Sequence, residues 1–208
     1  MDPFALIAAE RRRLADALDD LAPADWERPS LCGAWTAHQV AAHLNAPFAV
    51  GKATFVVEIA KALGNFDKAN ERVAIQLADQ LDPAACIAGL RANADSRFTP
   101  PFFGPEAPLT DTIVHGGDIL QPAGRSLAVA HEALATSLRF LTTASARRGF
   151  GAIDAGGVTL APTDLDLTLG DGPSVEGPAR ALVCALAGRA AFLDELAGPG
   201  VDALRSRS

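Results

Sequence analysis

The side chains best suited to chemistry are a few histidines and carboxylates. Asp111 and His115 are four residues apart, a spacing that stacks two side chains one turn apart on the same face of an α-helix, where both can point at one ion. Asp118, three residues past His115, extends that polar stripe, while Ile113 and Leu120 fall on the other side. His43 lies beside Val40 and Leu44, on the flank of the apolar stripe of an earlier helix. Two histidines and a carboxylate are the donor set of a catalytic divalent-metal site with open positions, and helical bundles build such sites from facing helices. A plainer arrangement suits the same residues: a solvated helix face with an aspartate favourable to the helix dipole, and a hydrogen-bonded, half-buried His43. Spacing alone leaves both open. Gly116 and Gly117 weaken the helix by roughly 1 kcal/mol each, which points to close approach there by another helix or a ligand.

The elements that must position these residues are mostly helical. Phe4, Ile7, Leu14, Leu18 and Leu21 share one seam of a first amphipathic helix. Thr36 followed three residues later by Gln39 reads as a capping box, so the helix carrying His43 starts at Ala37. Pro47 interrupts it, predicting either a kinked long helix or two helices in line that end at Gly64. Val73, Leu77 and Leu81 mark a short helix, and Ile87, Leu90, Ala94 and Phe98 mark another after Pro83. A proline-rich loop over 99–109 precedes the helix of Asp111 and His115, which the pattern starts near Thr110 and stops before Pro122. Leu127, Leu134, Leu138 and Leu141 line a longer helix ending at Gly149. Near residue 150 the period switches from helical to two: Val158–Leu160 and Leu165–Leu169 read as short strands, with a turn at Gly170–Pro173. A helix over 178–196 and a short one near the end follow. The predicted organisation is a helical bundle over 1–150 and a small α/β domain over 151–208.

Composition narrows the function classes. The chain of 208 residues is 49% hydrophobic and 21% charged, a balance that excludes a mainly disordered protein. Its net charge of −7 repels phosphate backbones and anionic lipid, so nucleic acid and membrane surfaces are not expected partners. No apolar run approaches the roughly 18 residues of a membrane span, and no export signal is visible. Cys32, Cys86 and Cys184 lie far apart without CxxC spacing, which implies reduced thiols and a cytoplasmic location. Cys86 and Cys184 fall inside apolar helical patterns, whereas Cys32 falls in an accessible loop. Nothing in the surface pattern distinguishes a monomer from a dimer.

Several motifs occur in a telling order. Trp26-x-x-Pro29-Ser30-Leu31-Cys32-Gly33-Ala34-Trp35-Thr36, running into Val40-Ala41-Ala42-His43-Leu44, resembles the start of the mycothiol-dependent maleylpyruvate isomerase family. That family's later motif, a glutamate, three residues, a histidine and an aspartate before Pro-x-Gly, is matched by Asp111 to Asp118 and Pro122-Ala123-Gly124. Thr163-Asp164, Gly170-Asp171-Gly172-Pro173, Gly177-Pro178 and Ala187-Gly188-Arg189 are similar to the small C-terminal domain that many members carry. The resemblance implies a mainly α fold, a DinB-like four-helix bundle followed by a small α/β C-terminal domain. It implies a divalent metal, commonly zinc, held by His43, Asp111 and His115, with Asp118 as an acceptor behind an imidazole N–H. The departure is Asp111, where the family has glutamate, one C–C bond of about 1.5 Å longer.

The activity so implied is a metal-dependent one, in which mycothiol is activated for addition to, or transfer onto, a small electrophile. Arg189 would hold a substrate carboxylate in bidentate fashion; alternatively it is a surface cation near the turn at Gly188. Trp26 and Trp35 read as packing anchors. Two further functions remain open: metal-activated water performing hydrolysis at the same ligands, and a catalytically inactive bundle that binds a small molecule or a partner, which the Asp111 departure favours.

Overall fold

A computed structural model describes residues 2–207, apart from the side chains of residues 52, 53, 55, 66 and 67. The chain is mainly α-helical with one small sheet near its C-terminal end, as the change of period at residue 150 predicts. It divides into two compact units, the first made of Met1–Glu10, Thr99–Val114 and Ala128–Ser208, the second of Arg11–Phe98 and His115–Leu127. Two helices run unbroken from one set of residues into the other: α1 (Pro3–Asp19) and α7 (Glu106–Leu120). No described helix is long and apolar enough to cross a membrane.

The second unit is all helical. From α1 it takes Leu14 and Leu18, both fully buried, and α2 (Pro23–Trp26) is a single turn that buries Trp26. The capping box at Thr36 forms as expected: the Thr36 hydroxyl accepts the Gln39 N–H and the Gln39 side chain accepts the Thr36 N–H, so α3 runs Ala37–Ala49. Pro47 sits inside its last turns, and the chain leaves the helix at Val50, whose backbone is extended. Gly51 then opens α4 (Lys52–Lys61), so of the two expected arrangements the chain forms two helices and not one kinked helix. After α5 (Phe66–Ala78) and α6 (Pro83–Ala92), α3 packs against both, and α4 packs against α5.

The contact between α3 and α6 is close for a definite reason. A Cβ at Gly89 would stand 2.1 Å from Asn45 Oδ1, a distance no methyl group can occupy. Buried Asn45 donates from Nδ2 to the carbonyls of Ala41 and Cys86, tying the helix of His43 to α6. Arg11, 4% exposed, donates from Nη1 to the carbonyls of Asn93, Ala94 and Ser96, pinning the turn that follows α6.

In the first unit, α8 (His131–Leu141) and α9 (Ala144–Gly149) replace one longer helix, because Thr143 breaks the run and caps α9 through its hydroxyl. The sheet has order β2-β1-β3, with β1 (Thr159–Pro162) antiparallel to β2 (Leu169–Gly170) and parallel to β3 (Ser174–Gly177). Leu160 and Val175 pair in register and are buried. α10 (Ala179–Leu186) packs on α8 and contacts β1. The expected helix over 178–196 stops early at Gly188, which takes φ +83°; a 3-10 turn, Ala190–Glu195, and α11 (Val201–Arg205) complete the unit.

α7 starts at Glu106, four residues before the expected start near Thr110, because Pro108 falls in its first turn. A proline there loses no hydrogen bond, since the first N–H groups of a helix have no partner inside it.

Candidate metal centre

The early start of α7 puts Asp111 in its second turn. The helix-dipole explanation for that aspartate therefore weakens, since the dipole acts within the first turn. Asp111 is half-buried, one turn before His115 on the same unbroken helix. The stretch from Thr112 to Gly116 beside it is buried.

His115 is 7% exposed and Asp118 fully buried. Their side chains meet at 2.9 Å, Nδ1 to Oδ2. A carboxylate accepts, so the imidazole carries its proton on Nδ1 and leaves Nε2 as the ring's lone-pair nitrogen. This is the outer-shell arrangement that fixes the tautomer and orientation of metal-ligating histidines. The backbone of Asp118 is engaged as well, its carbonyl accepting the Leu31 N–H at 3.1 Å.

Gly116 shows what the weak helix positions admit. A Cβ there would lie 2.9 Å from Leu127 Cδ2 and 3.2 Å from Leu14 Cδ1, so the close approach at this glycine is by core leucines, one from the coil before α8 and one from α1.

His43, on α3, brings its ring to 5.0 Å from that of His115, edge to face, and to 5.2 Å from that of Trp35. One ligand atom each of His43, Asp111 and His115 lie within 4.8 Å of one another. Ligand atoms around a single zinc ion stand about 3.3–3.8 Å apart, so the group needs only a small contraction to close on an ion. The shorter aspartate has not dropped out of the donor set, whose chemistry, two imidazoles and a carboxylate, fits a divalent cation.

The loop before α3 brings two residues to this place. Pro29 and Thr36 form an isolated antiparallel bridge, the Ser30 N–H donates to the Trp35 carbonyl, and Gly33 takes φ +59° at the tip. Trp35 thereby lies against His43, while Trp26 packs edge-on to His38 at 6.3 Å. Cys32, half-buried, places Sγ within 4.8 Å of ligand atoms of His115 and Asp118. From the sequence Cys32 falls in an accessible loop with nothing to join it to His115 except its place in the tight motif between Pro29 and Thr36. The other two cysteines are buried, and burial pushes the Cys86 thiol up to about 12.

Arg189 belongs to the first unit, where it is half-buried and precedes the 3-10 turn. Its Nη1 donates to the Ala187 carbonyl at 2.5 Å.

Residues 7–99 match the family model described as the mycothiol maleylpyruvate isomerase N-terminal domain. Two solved structures resemble the whole chain: a mycothiol-dependent maleylpyruvate isomerase and a histidine-to-alanine variant of it. Each has a TM-score of 0.53 at 15% identity, over 95% of this chain and 92% of that one. No curated protein matches. The resemblance read from the motifs thus holds over the N-terminal part, and the fold is shared along nearly the full length.

Proposed function

We propose that this chain, whose residues 7–99 match the mycothiol maleylpyruvate isomerase N-terminal domain, is a metal-dependent enzyme that activates mycothiol for addition to, or transfer onto, a small electrophile. The observation that carries the reading is the grouping of His43, Asp111 and His115 within 4.8 Å, with His115 Nδ1 held by Asp118. The similar structures are of a mycothiol-dependent maleylpyruvate isomerase, which suggests the thiol and the reaction class.

In this reading His43, Asp111 and His115 hold a divalent ion, zinc by donor preference. Such an ion lowers the pKa of a bound thiol and so delivers a thiolate at neutral pH. Asp118 keeps the proton on His115 Nδ1, so that Nε2 stays directed as a lone pair. Trp35, against His43, limits how far that ring can turn. Arg189 is the group assigned to a carboxylate of the substrate, which it would take with two parallel N–H donors. Residues 151–208 form the small C-terminal domain of this reading, and a cytoplasmic location suits thiols that stay reduced.

The test is turnover of maleylpyruvate and simple electrophiles by metal-loaded protein, with and without mycothiol. Thiol-dependent turnover that chelation abolishes is the expected result. Turnover without thiol would instead indicate hydrolysis by metal-activated water. Metal retention with no turnover would indicate a binding protein.

A further inference from the structure

The side chains around His115 form a second donor set. Cys32 Sγ, an imidazole nitrogen of His115 and a carboxylate oxygen of Asp118 lie within 4.8 Å of one another. Two of the three residues, His115 and Asp118, are more than nine-tenths buried, and hydrogen bonds hold the segments of Cys32 and Asp118: the Asp118 carbonyl accepts the Leu31 N–H at 3.1 Å, and the Cys32 N–H donates to Ser30 Oγ at 3.0 Å.

A thiol, an imidazole and a carboxylate are also the parts of a nucleophilic relay, but the distances do not suit one. In a relay the thiol and the carboxylate use opposite ring nitrogens, which separates them by at least about 6 Å, two hydrogen bonds with the ring between. Here sulfur and carboxylate lie within 4.8 Å of each other. Mutual proximity of all three atoms is the geometry of ligands around one centre.

We propose that Cys32, His115 and Asp118 form a binding site for a thiophilic cation, distinct from the His43 set and sharing only His115 with it. Sulfur, nitrogen and oxygen donors together favour borderline and soft ions such as zinc, cadmium and cobalt(II) over magnesium or calcium. Binding replaces the thiol proton by the metal and releases that proton to solvent, with no change of oxidation state. When the bound atom of His115 is Nδ1, the cation takes the place of the proton now shared with Asp118, and the imidazole stays neutral by carrying that proton on Nε2 instead. This site goes beyond the thiol-transfer reading, because neither His43 nor Asp111 belongs to it.

Cobalt(II) alone is the probe. Added to metal-stripped, reduced protein, it gives a near-ultraviolet sulfur-to-cobalt charge-transfer band only if a thiolate is a ligand. The expected result is that the band appears in wild type, persists in His43→Ala and is lost in Cys32→Ser, with circular dichroism confirming that both variants fold. A band absent from wild type or His43→Ala, or one that survives Cys32→Ser, would overturn the proposal. A second readout needs no variant: one equivalent of cadmium should protect Cys32 from alkylation, mapped by peptide mass spectrometry, and unchanged labelling would equally overturn it. Loss of thiol-dependent turnover leaves these readouts unmoved, so the two readings fail separately.

Discussion

Replacing Asp118 by asparagine isolates what the carboxylate does for His115. The substitution keeps size and leaves the backbone carbonyl that accepts the Leu31 N–H. It removes the charge from the 2.9 Å hydrogen bond to Nδ1. Because the pair is buried, 7% and 0% exposed, water does not replace the lost interaction. Outer-shell substitutions of this kind lower metal affinity about 10- to 100-fold, which is about 1.4–2.7 kcal/mol. The assay is zinc competition against a chromophoric chelator, in a Cys32→Ser background so that only His43, Asp111 and His115 are read. Unchanged affinity would refute the positioning role. A loss as complete as that of His115→Ala would also refute it, because Asp118 would then be a ligand itself.

Three further outcomes follow from the fold. Gly89→Ala forces a methyl group to within 2.1 Å of Asn45 Oδ1 and should destabilise by about 1–3 kcal/mol in chemical denaturation, as overpacking does; wild-type stability would mean that α3 and α6 separate freely. Thr36→Ala removes the oxygen that accepts the Gln39 N–H and should cost about 1 kcal/mol, read as a lower Tm; no change would leave the capping box without energetic weight. Native protein at pH 8 should be alkylated at Cys32 and not at Cys86, whose thiol is buried and pushed up to about 12, since only the thiolate reacts; early labelling of Cys86 would contradict its burial.

Local signals were the ones the sequence carried well. The Thr36–Gln39 capping box placed the start of α3 correctly, because a cap is written in four adjacent residues. The Asp111–His115–Asp118 spacing put three polar side chains on one helix, where His115 and Asp118 meet. What escaped was tertiary or ambiguous. Pro105 and Pro108 read as loop, yet a proline in a first turn suits a helix. β3 (Ser174–Gly177) is four residues beside glycines and a proline, too short for a period to register, and it exists because β1 pairs with it in parallel. Cys32 reaches His115 only because Leu31 bonds to the Asp118 carbonyl 87 positions away, a contact no local pattern encodes.

The central claim is that His43, Asp111 and His115 hold one divalent ion. Elemental mass spectrometry of protein purified without chelators tests it most directly, comparing the Cys32→Ser background with the same protein also carrying His43→Ala or Asp111→Ala. Near-stoichiometric zinc in the background, lost in both double variants, is the expected result. Full zinc retained in either double variant, or none in the background after reconstitution, would contradict the claim.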